Sequence, residues 1–197
     1  GRCVKMGPSV DKDALIAREA ESFIPRSKTS RASVMLTIKN STLIASAGID
    51  ESNGNGFYIL WPKNVNTLLK TIHAYLKRKH QISRLGLITT DSHLTAMRYG
   101  VVGISIGFYG LEPLRDYRGK KDIFGRKLVM TRANVVDALA AMGVLLMGES
   151  SERCPLLLIR GANFVRFTNR PTWRKLAIPK HIDLYAPLLK AFPKKRR

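Results

Sequence analysis

The chain has 197 residues, a hydrophobic share of 45% and a formal net charge of +20 at pH 7. This hydrophobic share excludes an intrinsically disordered chain, and two cysteines, Cys3 and Cys154, exclude a disulfide framework and a cysteine-rich zinc site. The length suits one domain or two small lobes, and the charge predicts a polyanionic partner such as a nucleotide, an anionic metabolite, nucleic acid or a membrane surface.

The N-terminal part of the sequence predicts one helix and one β-hairpin. The sequence opens without an initiator methionine, so the chain is expected to be processed or incomplete at this end. No signal peptide is recognised, which favours a cytoplasmic protein. Asp11 is expected to cap a helix that runs to Phe23. Alternating residues at 34–38 and an apolar run at 42–47, joined by a polar turn, predict the hairpin.

The stretch between residues 44 and 62 is the strongest candidate for a site. Apolar segments at 44–47 and 57–61 predict buried strands, and the nine residues between them, GIDESNGNG, include three glycines and two asparagines. Those residue types favour positive φ angles and a loop. A polar loop held between two core strands is a rigid platform for a site, and the alternative is a hairpin turn without chemistry.

The middle of the chain predicts an amphipathic helix and two buried strands. An asparagine cap at Asn64 or Asn66 is expected to open the helix, which ends near His80 with basic residues in its last turn. Strands are expected at 85–89 and 101–108. The buried face of the helix is expected to consist of Leu68, Leu69, Ile72, Tyr75 and Leu76.

Further along, a charged loop precedes the most apolar helix. Residues 115–126 are charged and interrupted by glycines, which predicts an exposed loop. Thr131 is expected to cap the helix and Gly148 to end it, and its apolar run at 135–147 is too short to cross a bilayer, so a cytoplasmic protein without a membrane partner is expected. A last core strand is expected at 156–159. The apolar face of the helix is expected to consist of Val135, Val136, Leu139, Met142, Leu145 and Leu146.

Three carboxylates stand at the ends of predicted elements in a chain that has few acidic residues. Asp50 and Asp91 each follow a strand, and Glu149 follows the apolar helix. Carboxylate oxygens suit Mg²⁺ or Mn²⁺, which bridges protein carboxylates and substrate phosphates. The alternative for each is an ordinary surface carboxylate or a helix cap, and the spacing does not establish that they converge. His73 and His80 are expected to be packed or solvated rather than metal ligands.

A series of short motifs runs through residues 1–161. They are AGIDESN at 47–53, LWP at 60–62, TDS at 90–92, RYGV at 98–101, ISIG at 104–107, DYRG at 116–119, Asp122, FGR at 124–126, LMGE at 146–149 and IRG at 159–161. In this order, and taken as a set, they resemble the coenzyme F420-0:L-glutamate ligase (γ-glutamyl ligase) family.

The resemblance implies a fold and an activity. The family has an α+β fold, with mixed or antiparallel sheets and packed helices, and forms an intertwined homodimer. Its members use a nucleoside triphosphate and two divalent ions to join the amino group of L-glutamate to a carboxylate of the acceptor. We therefore expect Mg²⁺ or Mn²⁺ as cofactors, GTP or ATP as co-substrate, and a reaction through an acyl phosphate.

Carried over by position, the resemblance also implies roles for individual residues. Asp50 and Asp91 would hold one ion, and Ser92 and Glu149 the second. Three arginines are candidates for gripping carboxylates or phosphates in catalysis, because a planar guanidinium matches those anions, and the alternative for each is plain surface charge. These arginines are Arg98, Arg118 and Arg126. The nucleotide-binding residues would be Asn53 and the phosphate-lining segment of Gly148, Glu149, Ser150, Ser151 and Glu152.

Departures from the family pattern bear on the acceptor and on completeness. Where the F420 branch has a Phe-Gly-Arg run, this chain reads HLTAM at 93–97 before Arg98, as in a bacterial branch thought to act in folate metabolism, which favours a folate over F420-0. The family's Ser-Lys nucleotide segment would precede Gly1, so the catalytic domain, 1–161, is expected to lack its N-terminal part. Residues 162–197 are expected to form a basic extension that packs on the body.

Two other functions stay open beside the ligase. One is a nucleic-acid-binding module driven by the basic extension, which predicts steeply salt-dependent binding that is lost when residues 162–197 are removed. The other is an inactive relative of the ligase. The motif order favours the active ligase, with nucleic acid not expected as a partner. The sequence leaves undecided the acceptor, the number of glutamates added, and the choice of ATP or GTP.

Overall fold

The computed structural model describes residues 2–29 and 34–193. The predictions made for Gly1 and for the basic end of the chain, residues 194–197, lie outside these residues. The chain divides into two compact units, and the predicted domain boundary after residue 161 stays a prediction. None of the described helices has the length and apolar character needed to cross a membrane. As far as they are described, the first unit takes in Gly1–Lys63, His93–Val101 and Ile178–Arg197, and the second Asn64–Ser92 and Val102–Ala177.

The first unit contains two antiparallel sheets. Its elements up to residue 63 are strand β1 (Arg2–Lys5), helix α1 (Lys12–Glu19), and strands β2 (Ser22–Ile24), β3 (Leu36–Lys39), β4 (Thr42–Ala45) and β5 (Phe57–Leu60). Strand β1 pairs with β5, and β2, β3 and β4 form a three-stranded sheet in that order. The buried core of this unit consists of Leu15, Ile16, Ala20, Met35, Ala47, Ile49 and Leu60.

Helix α1 begins where the sequence predicts but ends earlier. The Asp11 carboxylate accepts a hydrogen bond from the amide two residues further on at 2.8 Å, which confirms the predicted cap. The helix ends at Glu19, because the next residues turn into β2 and pair with β3. The prediction of a helix to Phe23 is therefore wrong. Aromatic and β-branched residues suit a strand as soon as a neighbouring strand is available.

The predicted hairpin is present as β3 and β4. Asn40 and Ser41 connect these strands with φ angles of 49° and 59°, which is the two-residue turn that matches the twist of a strand pair. The second strand ends at Ala45 rather than at residue 47, because residues 46–48 form a short turn with left-handed backbone. The hairpin thus leads directly into the candidate site.

Three charged side chains connect helix α1 to both sheets of the first unit. The Glu19 carboxylate accepts hydrogen bonds from two nitrogens of Arg2, at 2.9 and 2.5 Å, and from Lys39 Nζ at 3.1 Å. The Lys39 and Glu19 side chains are only 8% and 12% exposed. The hydrogen bonds from Arg2, assisted by Lys39 and opposed by burial, lower the pKa of Glu19 from its ordinary 4.5 to about 2.

We expect acid to weaken this cluster between pH 4.5 and about 2. Because the pKa of Glu19 is lower in the folded protein than in the unfolded chain, its contribution to stability is complete above pH 4.5 and is lost as the pH falls to about 2. The Glu19→Gln variant should lose this part of the pH dependence. Thermal melts of both proteins from neutral to acidic pH check the prediction, and parallel curves over that window would contradict it.

Gly48 occupies a position where no side chain fits. Its φ angle is 65°, and a Cβ built there would lie 2.3 Å from Trp61 Nε1. We expect Gly48→Ala to lower the free energy of unfolding by about 3 kcal/mol, because it combines overpacking with a left-handed backbone. Gly56→Ala is the matched control, since Gly56 has a φ angle of 84° but nothing within 4 Å of its built Cβ. Denaturant titration should show a loss of only about 1 kcal/mol for the control. Equal losses in the two variants would show that the contact with Trp61 does not cause the larger loss expected for Gly48→Ala.

The second unit combines two strand pairs with two helices among its described residues. Its elements are helix α2 (Val65–His80), strands β6 (Leu87–Leu94), β7 (Val101–Tyr109), β8 (Leu114–Asp116) and β9 (Arg132–Asn134), and helix α3 (Val135–Met147). The last two residues of β6 and the first residue of β7 are grouped with the first unit. Strand β6 pairs with β7, and β8 with β9. A last short helix, α4 (Ala186–Leu189), belongs to the first unit. These elements confirm the predicted α+β class with antiparallel pairing.

Helix α2 buries a different face from the predicted one. Its buried residues are Val65, Leu69 and His73, which recur every four residues. His73 Nε2 lies 3.0 Å from the Leu85 carbonyl oxygen, and this contact confirms a packed role for the histidine. The predicted buried face is wrong for three residues, which are 42%, 37% and 46% exposed: Leu68, Ile72 and Tyr75.

Helix α3 is capped by Asn134 and not by Thr131. Asn134 Oδ1 accepts a hydrogen bond from the Asp137 amide at 3.1 Å. The predicted cap at Thr131 is wrong because the three residues before the helix pair with β8 as strand β9. Gly148 ends the helix with a φ angle of 84°, as predicted. The predicted apolar face is wrong for three residues that are 40%, 81% and 61% exposed: Met142, Leu145 and Leu146.

Three further predictions of strands and loops need correction. Strand β6 continues through Asp91 and Ser92, so these residues lie within a strand that pairs with β7 and do not follow its end. The region predicted as an exposed loop at 115–126 begins inside strand β8. Residues 156–159 form no strand, since no described strand pairs with them, and they are between 37% and 85% exposed.

Candidate functional site

Asp50 is held beside strand β5 by two backbone hydrogen bonds. The Asp50 amide donates to the Ile59 carbonyl at 3.0 Å, and the Ile59 amide donates back at 2.7 Å. The exposed Asp50 carboxylate accepts hydrogen bonds from the Ser52 amide at 2.9 Å and from the Ser52 hydroxyl at 2.7 and 2.8 Å. A fixed backbone therefore presents two anionic oxygens at the surface.

The loop beyond Asp50 is a compact turn with positive φ angles, as predicted. The Gly54 amide donates to the Glu51 carbonyl at 3.2 Å, and the Phe57 amide donates to the Gly54 carbonyl at 3.0 Å. A Cβ built on Gly54 would lie 2.1 Å from the Phe57 carbonyl oxygen, so this position requires glycine. Asn53, the predicted nucleotide contact, is exposed at the tip with a φ angle of 53°.

In the second unit, Ser92 and Glu149 are in contact although 57 residues separate them in the sequence. Ser92 Oγ lies 2.7 Å from each of the two carboxylate oxygens of Glu149 and donates its proton to them. Strand β6 positions the serine, and the end of α3 at Gly148 positions the glutamate. The Asp91 carboxylate accepts a hydrogen bond from the Ser92 amide at 2.8 Å. These groups supply several oxygens to one part of the unit.

The segment predicted to line phosphates, residues 148–152, already binds a carboxylate. The Ser150 amide donates to Glu152 Oε2 at 2.8 Å. Hydrogen bonds from the amides of Glu152 and Ser150 lower the pKa of this carboxylate. The side chain lies against Gly148, where a built Cβ would be 2.2 Å from Glu152 Cδ. The amides of the segment therefore point at an anion that is the segment's own Glu152 carboxylate, and its role in lining phosphates stays a prediction.

The three candidate arginines are exposed, and one of them is paired. Arg118 Nη2 lies 2.6 Å from Asp116 Oδ2, and this hydrogen bonding holds the pKa of Asp116 well below its usual range. An anion that binds Arg118 must therefore compete with Asp116, a partner that sequence reasoning missed although it is only two residues away. The backbone amide of Arg126 donates to Asp122 at 2.8 Å, and Arg98 lies in an exposed turn.

The candidate residues are divided between the two units. Asp50, Asn53 and Arg98 belong to the first unit, and the other candidates belong to the second. Within the second unit, the structure brings Ser92 to Glu149, the two residues that the resemblance assigns to one ion. That Asp50 and Asp91 share the other ion stays a prediction.

The donor chemistry fits Mg²⁺ or Mn²⁺, which prefer carboxylate and hydroxyl oxygens. Over residues 2–29 and 34–193, no three His, Cys, Asp or Glu side chains form a group that could hold a metal ion. The predicted sites do not need such a group, because each ion would have two protein ligands and would take its other ligands from phosphates and water. That ions bind there together with a nucleotide stays a prediction.

Comparison of the sequence with known proteins identifies its family. The sequence model described as F420-0:Gamma-glutamyl ligase matches residues 5–161. A coenzyme F420:L-glutamate ligase from Methanocaldococcus jannaschii is 37% identical over 172 residues, which cover 87% of this chain and 66% of the relative. The corresponding ligase from Methanosarcina mazei is 36% identical over 132 residues, covering 66% of this chain and 51% of the relative.

A third relative of the same name, from Methanopyrus kandleri, is 32% identical over 148 residues, which cover 75% of this chain and 57% of the relative. The chain thus spans between about half and two thirds of the length of these relatives. The family match covers most of the chain and includes every candidate site residue. The chain therefore belongs to the F420-0:gamma-glutamyl ligase family.

Proposed function

We propose that this chain is the catalytic part of a nucleoside-triphosphate-dependent γ-glutamyl ligase, which joins L-glutamate to an acceptor carboxylate through an amide bond. The observation that carries the proposal is the contact of Ser92 Oγ with both carboxylate oxygens of Glu149, at 2.7 Å. These two residues, from distant parts of the matched region, are the ones that the resemblance assigns to one ion. The names of the relatives, coenzyme F420:L-glutamate ligases, support L-glutamate as the substrate.

The acceptor is a folate or coenzyme F420-0. The names of the relatives favour F420-0. The sequence HLTAM at 93–97, which replaces the Phe-Gly run of the F420 branch, favours a folate. Both acceptors are anionic, so the net charge of +20 suits either of them.

The proposed reaction has two steps. First, the terminal phosphoryl group passes from the triphosphate to an oxygen of the acceptor carboxylate, which gives an acyl phosphate and a nucleoside diphosphate. The free amino group of glutamate then attacks the acyl carbon. As the C–N bond forms, the C–O bond to phosphate breaks, phosphate leaves, and the nitrogen gives up a proton to solvent.

In this reaction the residues of the chain would bind and orient the substrates and hold the ions that neutralise the phosphoryl group. The amides of Ser150 and Glu152 would bind phosphate oxygens in place of the Glu152 carboxylate. Arg98, Arg118 and Arg126 would grip the carboxylates or phosphates with their planar guanidinium groups. Divalent ions held by Asp50 with Asp91, and by Ser92 with Glu149, would supply positive charge to the phosphoryl group during transfer.

The test is glutamate-dependent release of phosphate by the full-length protein with Mg²⁺ or Mn²⁺. ATP and GTP are each combined with a folate and with F420-0, and mass spectrometry follows the addition of glutamyl residues to the acceptor. Omission of L-glutamate is the control. We expect turnover with one of the two acceptors, and absence of turnover with both would reject the activity in favour of an inactive relative.

The same preparation discriminates the nucleic-acid-binding alternative. That function predicts RNA or DNA binding that weakens steeply with salt and disappears when residues 162–197 are removed. The ligase function predicts that glutamate ligation does not depend on nucleic acid, so any effect of this truncation on activity does not come from loss of nucleic-acid binding. Salt-insensitive or absent binding would exclude the alternative.

We also propose that the ligase acts as a homodimer. On helix α3, Leu145 and Leu146 are 81% and 61% exposed, and Leu156 and Leu158 of the following segment are 85% and 68% exposed. Exposed apolar residues in such number are typical of a surface that a second copy covers. Analytical ultracentrifugation should show a dimer for the wild type and a monomer for a Leu145→Glu, Leu158→Glu double variant. A monomeric wild type at micromolar concentration would contradict the proposal.

A further inference from the structure

A strained turn lies directly before the loop that carries Asp50. Ser46, Ala47 and Gly48 have φ angles of 50°, 55° and 65°, so three successive residues adopt the left-handed backbone. Glycine adopts this conformation freely, but serine and alanine do not. Such backbone persists only where the surrounding structure holds it, and Ala47 is completely buried.

The first group that holds this turn is the hydroxyl of Thr37. The Ala47 amide donates a hydrogen bond to Thr37 Oγ1 at 2.9 Å, and Thr37 Oγ1 donates its own proton to the Ile44 carbonyl at 2.5 Å. Thr37 is completely buried in the middle of strand β3. Its hydroxyl therefore binds the amide of the strained residue in the absence of competing solvent.

The second group is the ammonium of Lys39. Lys39 Nζ donates to the Ala47 carbonyl at 3.2 Å and lies 5.2 Å from the centre of the Trp61 ring. Glu19 balances its charge in the buried cluster described above. The indole of Trp61 in turn packs against Gly48. The turn is thus held at the amide and the carbonyl of Ala47 and by a ring beside Gly48.

The geometry of the turn passes to Asp50 through consecutive backbone contacts. The Ile49 amide donates to the Ser46 carbonyl at 3.0 Å, and the next residue, Asp50, exchanges two hydrogen bonds with Ile59. No flexible linker separates the turn from the carboxylate. A change in the turn therefore shifts the direction in which Asp50 leaves the sheet.

We infer that Thr37 and Lys39 are positioning residues that hold the turn at residues 46–48 and, through it, place the Asp50 carboxylate for a divalent cation. Both side chains act through the backbone of Ala47, which accepts a hydrogen bond from Lys39 and donates one to Thr37. The cation part of this inference rests on the proposed function, in which Asp50 is a metal ligand. A buried hydroxyl and a buried ammonium then act on ligand geometry from inside the core.

The first measurement is Mn²⁺ binding to the full chain, monitored through the electron paramagnetic resonance signal of the free ion. Thr37→Val and Lys39→Met should each weaken Mn²⁺ binding by about 10-fold, because groups that orient metal ligands without binding the metal have effects of this size. Asp50→Asn, which changes the ligand itself, should also weaken binding. Thr37→Ser keeps the hydroxyl and should restore binding to within about twofold. The matched control is Thr172→Val, which removes a buried hydroxyl that donates to the Leu111 carbonyl at 2.8 Å in the other unit.

The second measurement needs no metal and separates the two proposals. Amide hydrogen exchange over residues 44–56 should become at least about 10-fold faster in Thr37→Val and stay unchanged in Thr172→Val. Unchanged exchange, or unchanged Mn²⁺ binding, in folded Thr37→Val would overturn the inference. If Asp50→Asn itself leaves Mn²⁺ binding unchanged, the metal role of Asp50 in the proposed function fails, while exchange still decides whether Thr37 holds the turn.

Discussion

Glu149→Ala should lower the rate of glutamate ligation by about 100- to 1,000-fold, which corresponds to about 3–4 kcal/mol of barrier. The expected loss is large because the Glu149 carboxylate would hold an ion that supplies positive charge at the site of phosphoryl transfer. The side chain is exposed and packs in no core, so the protein should stay folded. Steady-state kinetics, with thermal melts of the same samples, measure the two quantities separately.

The matched control is Glu112→Ala, which removes another carboxylate of the second unit. Glu112 pairs with Lys175 at 2.7 Å, outside the candidate site. Its loss should leave the ligation rate within about twofold, because this carboxylate lies outside the candidate site. The variant should also stay folded, because a surface ion pair contributes about 1 kcal/mol or less to stability. Comparable rate losses in the two variants would mean that Glu149 has no special role.

Ser92→Ala adds a test of the observed contact. If Ser92 and Glu149 bind one ion together, the double variant should be about as slow as Glu149→Ala alone, because the second removal acts on a site already lost. Effects that multiply would show that the two residues act independently. This double-mutant cycle therefore tests the contact between Ser92 and Glu149 on which the proposed function depends.

Asp50→Asn and Asp91→Asn should each lower the ligation rate by about 100-fold and weaken the binding of the same Mn²⁺ ion. The reason is that an amide supplies one neutral oxygen where the carboxylate supplies an anionic one. Equilibrium dialysis should show one fewer tightly bound ion in each variant than in the wild type. These two residues come from different units, so their coupling is the strongest solution test of the predicted site.

The double Asp50→Asn, Asp91→Asn variant decides whether one ion links these residues. Non-additive effects on Mn²⁺ affinity are expected, and additive effects would contradict a shared ion. Asp13→Asn is the control in the first unit, since Asp13 is an exposed carboxylate paired with Arg26 at 2.7 Å. It should leave Mn²⁺ binding unchanged.

Local signals in the sequence predicted where several elements begin and turn. The Asp11 cap and the end of α3 at Gly148 depend on contacts within a few residues. Helix α2 starts after Asn64, as predicted, but the Asn64 side chain makes no capping hydrogen bond. The positive φ angles of the loop after Asp50 follow from its glycines and asparagines for the same reason. Such features are set by short-range backbone chemistry, which a sequence displays directly.

The wrong predictions concern features that depend on a distant partner. The helix predicted to Phe23 ends early because β3 is available for pairing, and Thr131 loses the cap because β9 pairs with β8. The residues at 156–159 have the composition of a strand but pair with no described strand. A local pattern does not contain the position of a partner, so tertiary pairing overrides it.

The sequence by itself determined the fold class, the family and the oxygen-rich residue types that suit a divalent cation. Those properties follow from local pattern and motif order. Only the tertiary structure decided that Ser92 meets Glu149, that Asp116 pairs with Arg118, and that Thr37 and Lys39 hold the turn before Asp50. Most of these contacts join residues far apart in the chain, and all depend on where the backbone directs each side chain, which is set when strands and helices pack against one another.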